Sequence, residues 1–168
     1  QPEYHTTYKL DPTPARHTQY EGNKRIGTVP AAPADARQYG GRGEHHKGAS
    51  EYMHVVNSGG MCQFVMMAAN TAHIPDWFNA VTGWGMTQDE LKTVFERGIA
   101  MAKLFNLRCG FTSADDRLPA RFLEPLKTGP FADKPLTEER VREVVQDYYR
   151  SHGWDEQRAS AWVLKVAA

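Results

Sequence analysis

The chain has 168 residues, 20 basic against 20 acidic, with a hydrophobic share of 40% and 24% charged residues, the balance of a soluble globular protein. A formal charge of zero gives no global field that would draw in a nucleic acid or an anionic membrane. No apolar run approaches the roughly 18 residues that cross a bilayer, and two cysteines are too few for a disulfide scaffold, so a reducing, cytoplasmic setting is expected.

Breakers dominate the first stretch: Pro2, Pro12, Pro14, Pro30 and Pro33 alternate with Gly22, Gly27, Gly40, Gly41 and Gly43. Their spacing predicts an irregular arm over 1–43, with at most short strands, for example around Tyr4 to Leu10. Such an arm buries little apolar surface by itself, so it is expected to lie on another part of a larger protein or to be mobile. Its beginning, Gln1-Pro2-Glu3-Tyr4-His5, has no basic start, no apolar signal core and no initiating Met, which reads as a processed or excised piece. Gly40-Gly41-Arg42-Gly43 fits neither the dinucleotide nor the phosphate-loop fingerprint and is expected to be a flexible turn.

From Glu44 the pattern becomes helical, and 44–168 is expected to form one helical domain. Glu44, His45, His46 and His54 carry zinc-type ligand atoms, but adjacent histidines point apart and the spacing fits no standard site, so a solvated helix start is expected. Tyr52, Val55 and Val56 share a face, and Asn57-Ser58-Gly59-Gly60 ends the helix. Met61, Phe64, Val65, Met67 and Ala68 then predict a short buried helix.

Thr87 and Glu90 form a capping box for a helix with Leu91, Val94, Phe95, Ile99, Met101, Ala102 and Phe105 on one side. Thr137, with Glu138 and Glu139 in the first turn, starts another helix carrying Val141, Val144, Val145 and Tyr148, which Gly153 ends. A last short helix is expected over Ala161 to Val166. Trp77, Trp84, Trp154 and Trp162 are expected to pack in the core with Phe95 and Phe105. Neither strand–helix alternation nor a repeat is visible, so the class is mainly α.

Between the two capped helices runs Phe105-Asn106-Leu107-Arg108-Cys109-Gly110-Phe111-Thr112, followed by Asp115-Asp116 and Leu118-Pro119-Ala120-Arg121. So polar and punctuated a stretch reads as a structured surface loop. Asp115, Asp116 and Arg121 are expected to fix it through ion pairs and Asx-type turns, with Pro119 and Pro125 stiffening it. This loop resembles the C-terminal part of the aldehyde ferredoxin oxidoreductase family, tungsten-pterin enzymes. Thr82-Gly83-Trp84, Glu96-Arg97, Glu124-Pro125, Gly129-Pro130, Tyr148-Tyr149 and Gly153-Trp154-Asp155 follow the same family's order, so the likeness runs from about Asn57 to the C-terminus.

Asn57-Ser58-Gly59-Gly60-Met61-Cys62 concentrates the chemistry. A cysteine one turn inside a helix N-terminus, behind two glycines, sits where backbone amides stabilise a thiolate, the form that ligates iron. The alternative is a small buried hydrophobe. The resemblance implies that Cys62 is one of four ligands to a [4Fe-4S] cluster and that Asn57, Gly60 and Met61 border a pterin cofactor. The family has Asp where Asn57 stands and Leu where Met61 stands. Cys109 matches no family ligand and is read as structural, so three further cysteines must come from the remainder of the enzyme or another subunit.

His17 lies upstream, in the region where the family carries a histidine near the substrate, and is the candidate proton carrier; the alternative is a surface histidine in a proline-rich arm. For the whole enzyme, the resemblance implies oxidation of a small aldehyde to a carboxylic acid at a tungsten or molybdenum bis-pterin centre, with ferredoxin as electron acceptor. The chain alone is expected to hold no cofactor. The competing expectation is a non-enzymatic helical module, derived from such a domain, that binds or assembles with a partner.

Overall fold

The computed structural model describes residues 9–14, 16, 38–130, 132–133 and 135–154. Five α-helices occur among them: α1 (Arg42–Ser58), α2 (Gln63–Ala68), α3 (Ile74–Thr82), α4 (Gln88–Arg108) and α5 (Glu138–Ser151). No strand occurs among the described residues, so the mainly α class holds. The helix expected over Ala161 to Val166 lies outside them.

Helix α1 is the hub, packed against both α4 and α5. Its contact with α5 is set by Gly43, where an added Cβ would lie 2.1 Å from the Tyr148 backbone nitrogen and 2.6 Å from the Val144 carbonyl oxygen. The Asp147 carboxylate then accepts from the amides of Gly43 (2.9 Å) and Glu44 (3.2 Å), so a side chain of α5 caps α1. Of the segment expected to be a flexible turn, Gly40 and Gly41 do form the turn, whereas Arg42 and Gly43 begin α1 and Gly43 lies at a close helix crossing.

Three helices end in one way. After α1, Gly60 donates to the Asn57 carbonyl (3.2 Å) and Met61 to the Val56 carbonyl (2.9 Å), the paired bonds of a Schellman motif. Gly110 and Phe111 repeat this after α4, and Gly153 and Trp154 after α5. Gly60 takes the left-handed φ of 66° that the motif needs.

Two apolar clusters fill the interior. One joins Leu10, Ile99, Ala100, Val144, Tyr148, Tyr149 and Trp154; the other joins Tyr52, Met53, Val55, Val56, Met66, Ile74, Leu91 and Phe95. Leu10, Asp11 and Pro12 are buried, so this part of the arm lies on the chain's own helices. Lys9 and Leu10 are helical, where a strand was expected. Asn106 holds the arm by donating to the Pro12 carbonyl (2.7 Å).

The expected capping box and the expected N-cap at Thr137 are both present. Thr87 accepts from the Glu90 amide (3.3 Å) while Glu90 accepts from the Thr87 amide (2.8 Å). The apolar stripe of α4 is narrower than its sequence implies: Leu91, Phe95 and Ile99 are buried, whereas Val94, Met101 and Phe105 are exposed. Spacing by fours continues the buried row to Lys103. Trp154 is buried, but Trp77 and Trp84 face solvent and Trp162 lies outside the described residues.

Candidate functional site

The α1–α2 junction brings four of the five expected site residues together: Asn57, Gly60, Met61 and Cys62 follow one another round the turn. Cys62 is the N-cap residue of α2, with extended φ −73° and ψ 121°, and not one turn inside the helix. Its thiol is free and exposed. Its backbone is fixed on both sides, by the Met61 amide on Val56 and by the Met66 amide on the Cys62 carbonyl (3.0 Å). The buried Tyr52 hydroxyl donates to the Met66 carbonyl (3.0 Å) and ties α2 to α1.

The junction has two faces. Met61 is half-buried and, like Phe78, packs against the core cluster that includes Val56, while Asn57 and Gly60 are exposed. Helix α2 is not the buried helix expected: Phe64 is 82% and Val65 66% exposed, and Met66 alone of its residues is buried. Six residues form too few turns to bury more than one side against α1. His17 lies outside the described residues.

The histidines near the start of α1 are not solvated. His45 and His46 are buried, with the His46 ring 5.2 Å from that of Tyr148. His54 lies 3.4 Å from the buried Asp11 carboxylate, which also accepts from Ser50 Oγ and from the Thr13 amide. Burial would raise the Asp11 pKa, but the bond and charge of His54, with the Ser50 bond, outweigh it and hold the acid well below the usual carboxylate range. Among the described residues no three metal-ligating side chains form a cluster.

A second buried network joins α1 to α4. Glu51, 1% exposed, lies 2.5 Å from Lys47 and 3.9 Å from Lys92, while Lys47 also donates to Glu96 (2.7 Å). Burial pushes the Glu51 carboxyl up to about 7, against the opposing pull of Lys47. The Lys47 ammonium bound by both acids moves upward despite its own burial.

The loop after α4 carries a third. Asp116 accepts from the Tyr149 hydroxyl (2.5 Å) and from Lys103 (3.1 Å), whose ammonium also lies 4.8 Å from the centre of the Tyr149 ring. Asp115 instead closes its own turn, accepting from the Thr112 amide (2.8 Å), and exposed Arg121 pairs with Glu124 (2.5 Å). These are the structural roles expected of the three residues. Sequence reading missed Lys103, although a lysine four positions after Ile99 in a buried row was the available signal.

Fold and junction together define a helical domain that presents an exposed cysteine at a turn between two helices. The chain belongs to the aldehyde ferredoxin oxidoreductase family: residues 2–160 match that family's domains 2 and 3. No curated protein and no solved structure matches the chain. No helix among the described residues is long and apolar enough to cross a membrane.

Proposed function

We propose that this chain is the helical C-terminal part of an enzyme oxidising a small aldehyde to a carboxylic acid, with Cys62 as one of four thiolate ligands to a [4Fe-4S] cluster. What carries the reading is the Cys62 thiol, exposed and unpaired at a turn whose backbone is fixed on both sides. An exposed thiol at the end of a helix fits a cluster approached from outside the chain. A cysteine sunk in the core would not fit.

A tungsten or molybdenum bis-pterin centre supplies the two-electron chemistry when bound, and ferredoxin takes the electrons. This chain's own residues then have limited tasks. Cys62 offers sulfur at a position set by the α1 cap and by the Tyr52 bond to α2. Exposed Asn57 and Gly60 would border the pterin, with a neutral amide where the family places an acid. Met61 is turned into the core and supports the turn from behind. His17 gives or takes a proton near the substrate. The sequence holds one other cysteine, Cys109, at the end of α4, so three ligands come from the remainder of the enzyme or another subunit. In this reading the arm over 1–43 and the helical domain over 44–168 are two functional parts.

Metal analysis of the natively purified assembly tests the proposal: tungsten or molybdenum with about four irons per complex is expected. Cys62→Ser in that assembly should abolish acceptor reduction and leave helix content unchanged; retained reduction would overturn the ligand role. Asn57, in place of the family's acid, favours a second reading, a non-enzymatic helical module that binds a partner. A metal-free native assembly would establish it.

A further inference from the structure

Between Asn57 and Thr87 the only Asp, Glu, Lys or Arg is Asp76, where the chain's overall charged share of 24% would give about seven. The same stretch is far from buried. Helices α2 and α3 send Met66 and Ile74 into one core cluster, and outside it Phe64, Val65, Met67, Trp77, Val81 and Trp84 are exposed, Trp84 at 66%.

Solvent-facing surface normally carries the charged side chains, and the exposed apolar row of α4 follows that rule, since Val94, Met101 and Phe105 are interleaved with exposed Arg97 and Arg108. The limb has instead the composition of the centre of a protein–protein interface, where charged residues are depleted and aromatic residues and methionine are enriched. Such a surface offers a partner almost no ion pair, so its match is another uncharged, apolar surface. The rings of Phe64, Trp77 and Trp84, of a kind that buries roughly 150–250 Å² each when fully covered, supply a large part of the roughly 800 Å² per partner that a stable contact covers. Cys62 is the N-cap of α2, so a polypeptide that brings further thiolates to this thiol meets the limb at the same time.

We propose that the α2–α3 limb is the docking surface for the polypeptide that supplies the other three cluster cysteines, and that this polypeptide meets it with an apolar, uncharged face of its own. The partner's identity rests on the ligand reading of Cys62, while the surface itself rests on exposure and on the scarcity of charge. A contact of this kind is held by removing the rings from water and not by ion pairs, so it resists salt.

Hydroxyl-radical footprinting of the natively purified assembly, compared with the 168-residue chain alone in dilute solution, tests the surface. In the assembly Met67, Trp77 and Trp84 should react roughly fivefold more slowly than in the free chain, and the protection should survive about 1 M salt, where the screening length falls to about 3 Å. Val81→Arg places a charge at a position 88% exposed in the free chain, so the free variant should keep the wild-type unfolding midpoint. In the assembly, however, its limb should regain free-chain reactivity, because an unpaired cation is costly to bury. Cys62→Ser should keep the protection whether or not its iron is lost, so docking and ligation fail separately. Assembly reactivity equal to that of the free chain, protection already present in the free chain, protection retained in Val81→Arg or lost in Cys62→Ser, or a protected limb in an assembly built only of copies of this chain would each overturn the proposal.

Discussion

The α1–α5 crossing and the α2–α3 limb use their side chains in opposite ways. At the crossing, backbone meets backbone over Gly43, Asp147 caps the neighbouring helix, and Tyr148 is fully buried. Along α2 and α3, Phe64, Val65, Trp77 and Val81 face solvent, Val81 at 88% exposure. Burying apolar surface stabilises by about 25 cal/mol per Å², so the crossing contributes to folding while those exposed groups of the limb contribute nothing there. The limb nevertheless holds Cys62 in place through two elements of the buried body, the Val56 carbonyl and the Tyr52 hydroxyl.

The sharpest way to break the contrast is Gly43→Ala. Its methyl group would sit 2.1 Å from a backbone nitrogen that cannot rotate away, so α1 and α5 must separate, at a cost of about 3 kcal/mol or more. Gly60→Ala is the control: its Cβ meets nothing within 4 Å at φ 66°, and only the left-handed backbone penalty of about 1–2 kcal/mol remains. Chemical denaturation of both variants should reproduce that order; equal losses would mean that the close crossing is not what holds the body together.

Within the body, Glu51 makes stability depend on pH. Its folded pKa, pushed up to about 7 by burial, exceeds its ordinary value of 4.5, so the protonated form is the one the fold favours. That contribution is complete below about pH 4.5 and is lost as pH rises through about 7. The loss is on the order of 3 kcal/mol. His152, held well below its ordinary pKa mainly by burial, acts in the opposite sense, since its stabilising effect fades as pH falls below 6.5. Glu51→Gln separates the two: wild type should weaken relative to the variant between about pH 5 and pH 8. A pH-independent difference would show that Lys47 and Lys92 keep Glu51 ionised throughout.

Local signals were legible and distant ones were not. Thr87 with Glu90, Thr137 before its acidic turn, and the glycine stop after Ser58 each depend on residues a few positions apart, and each appears as read. Gly43 looked like a turn residue because the atoms that require it, around Val144 and Tyr148, lie about a hundred positions away. Asp11 meets Ser50 across 39 positions, which periodicity cannot detect. The hydrophobicity of Phe64 and Val65 was correctly registered and wrongly placed in the interior, since composition says that a side chain is apolar and not that a neighbour exists to cover it. The cysteine at the candidate site was found, but its position as N-cap depends on where the α1 cap ends, a matter of one residue that sequence reading leaves open.

The link between body and limb is testable at Tyr52. Tyr52→Phe keeps the buried ring and removes the hydroxyl that donates to the Met66 carbonyl, for a loss of about 1 kcal/mol. The effect should be local as well as small: hydrogen exchange at the amides of Cys62 to Met67 should accelerate while that of α5 stays unchanged. Uniform acceleration would place Tyr52 in the global core and leave α2 held by other contacts.

The smallest effect is expected at Phe64. Its side chain is 82% exposed, so Phe64→Ser removes almost no burial and should alter the stability of the chain by no more than about 0.5 kcal/mol. The ring is far from idle in solution, however, because an exposed phenyl beside exposed Val65 and Met67 offers apolar surface to any second molecule. The variant should therefore keep the wild-type denaturation midpoint while showing less self-association in sedimentation at raised concentration. A midpoint shifted by a kilocalorie or more, about twice the expected ceiling, would mean that Phe64 is covered by part of this chain, and the division between a self-sufficient crossing and an open limb would fail at its most exposed residue.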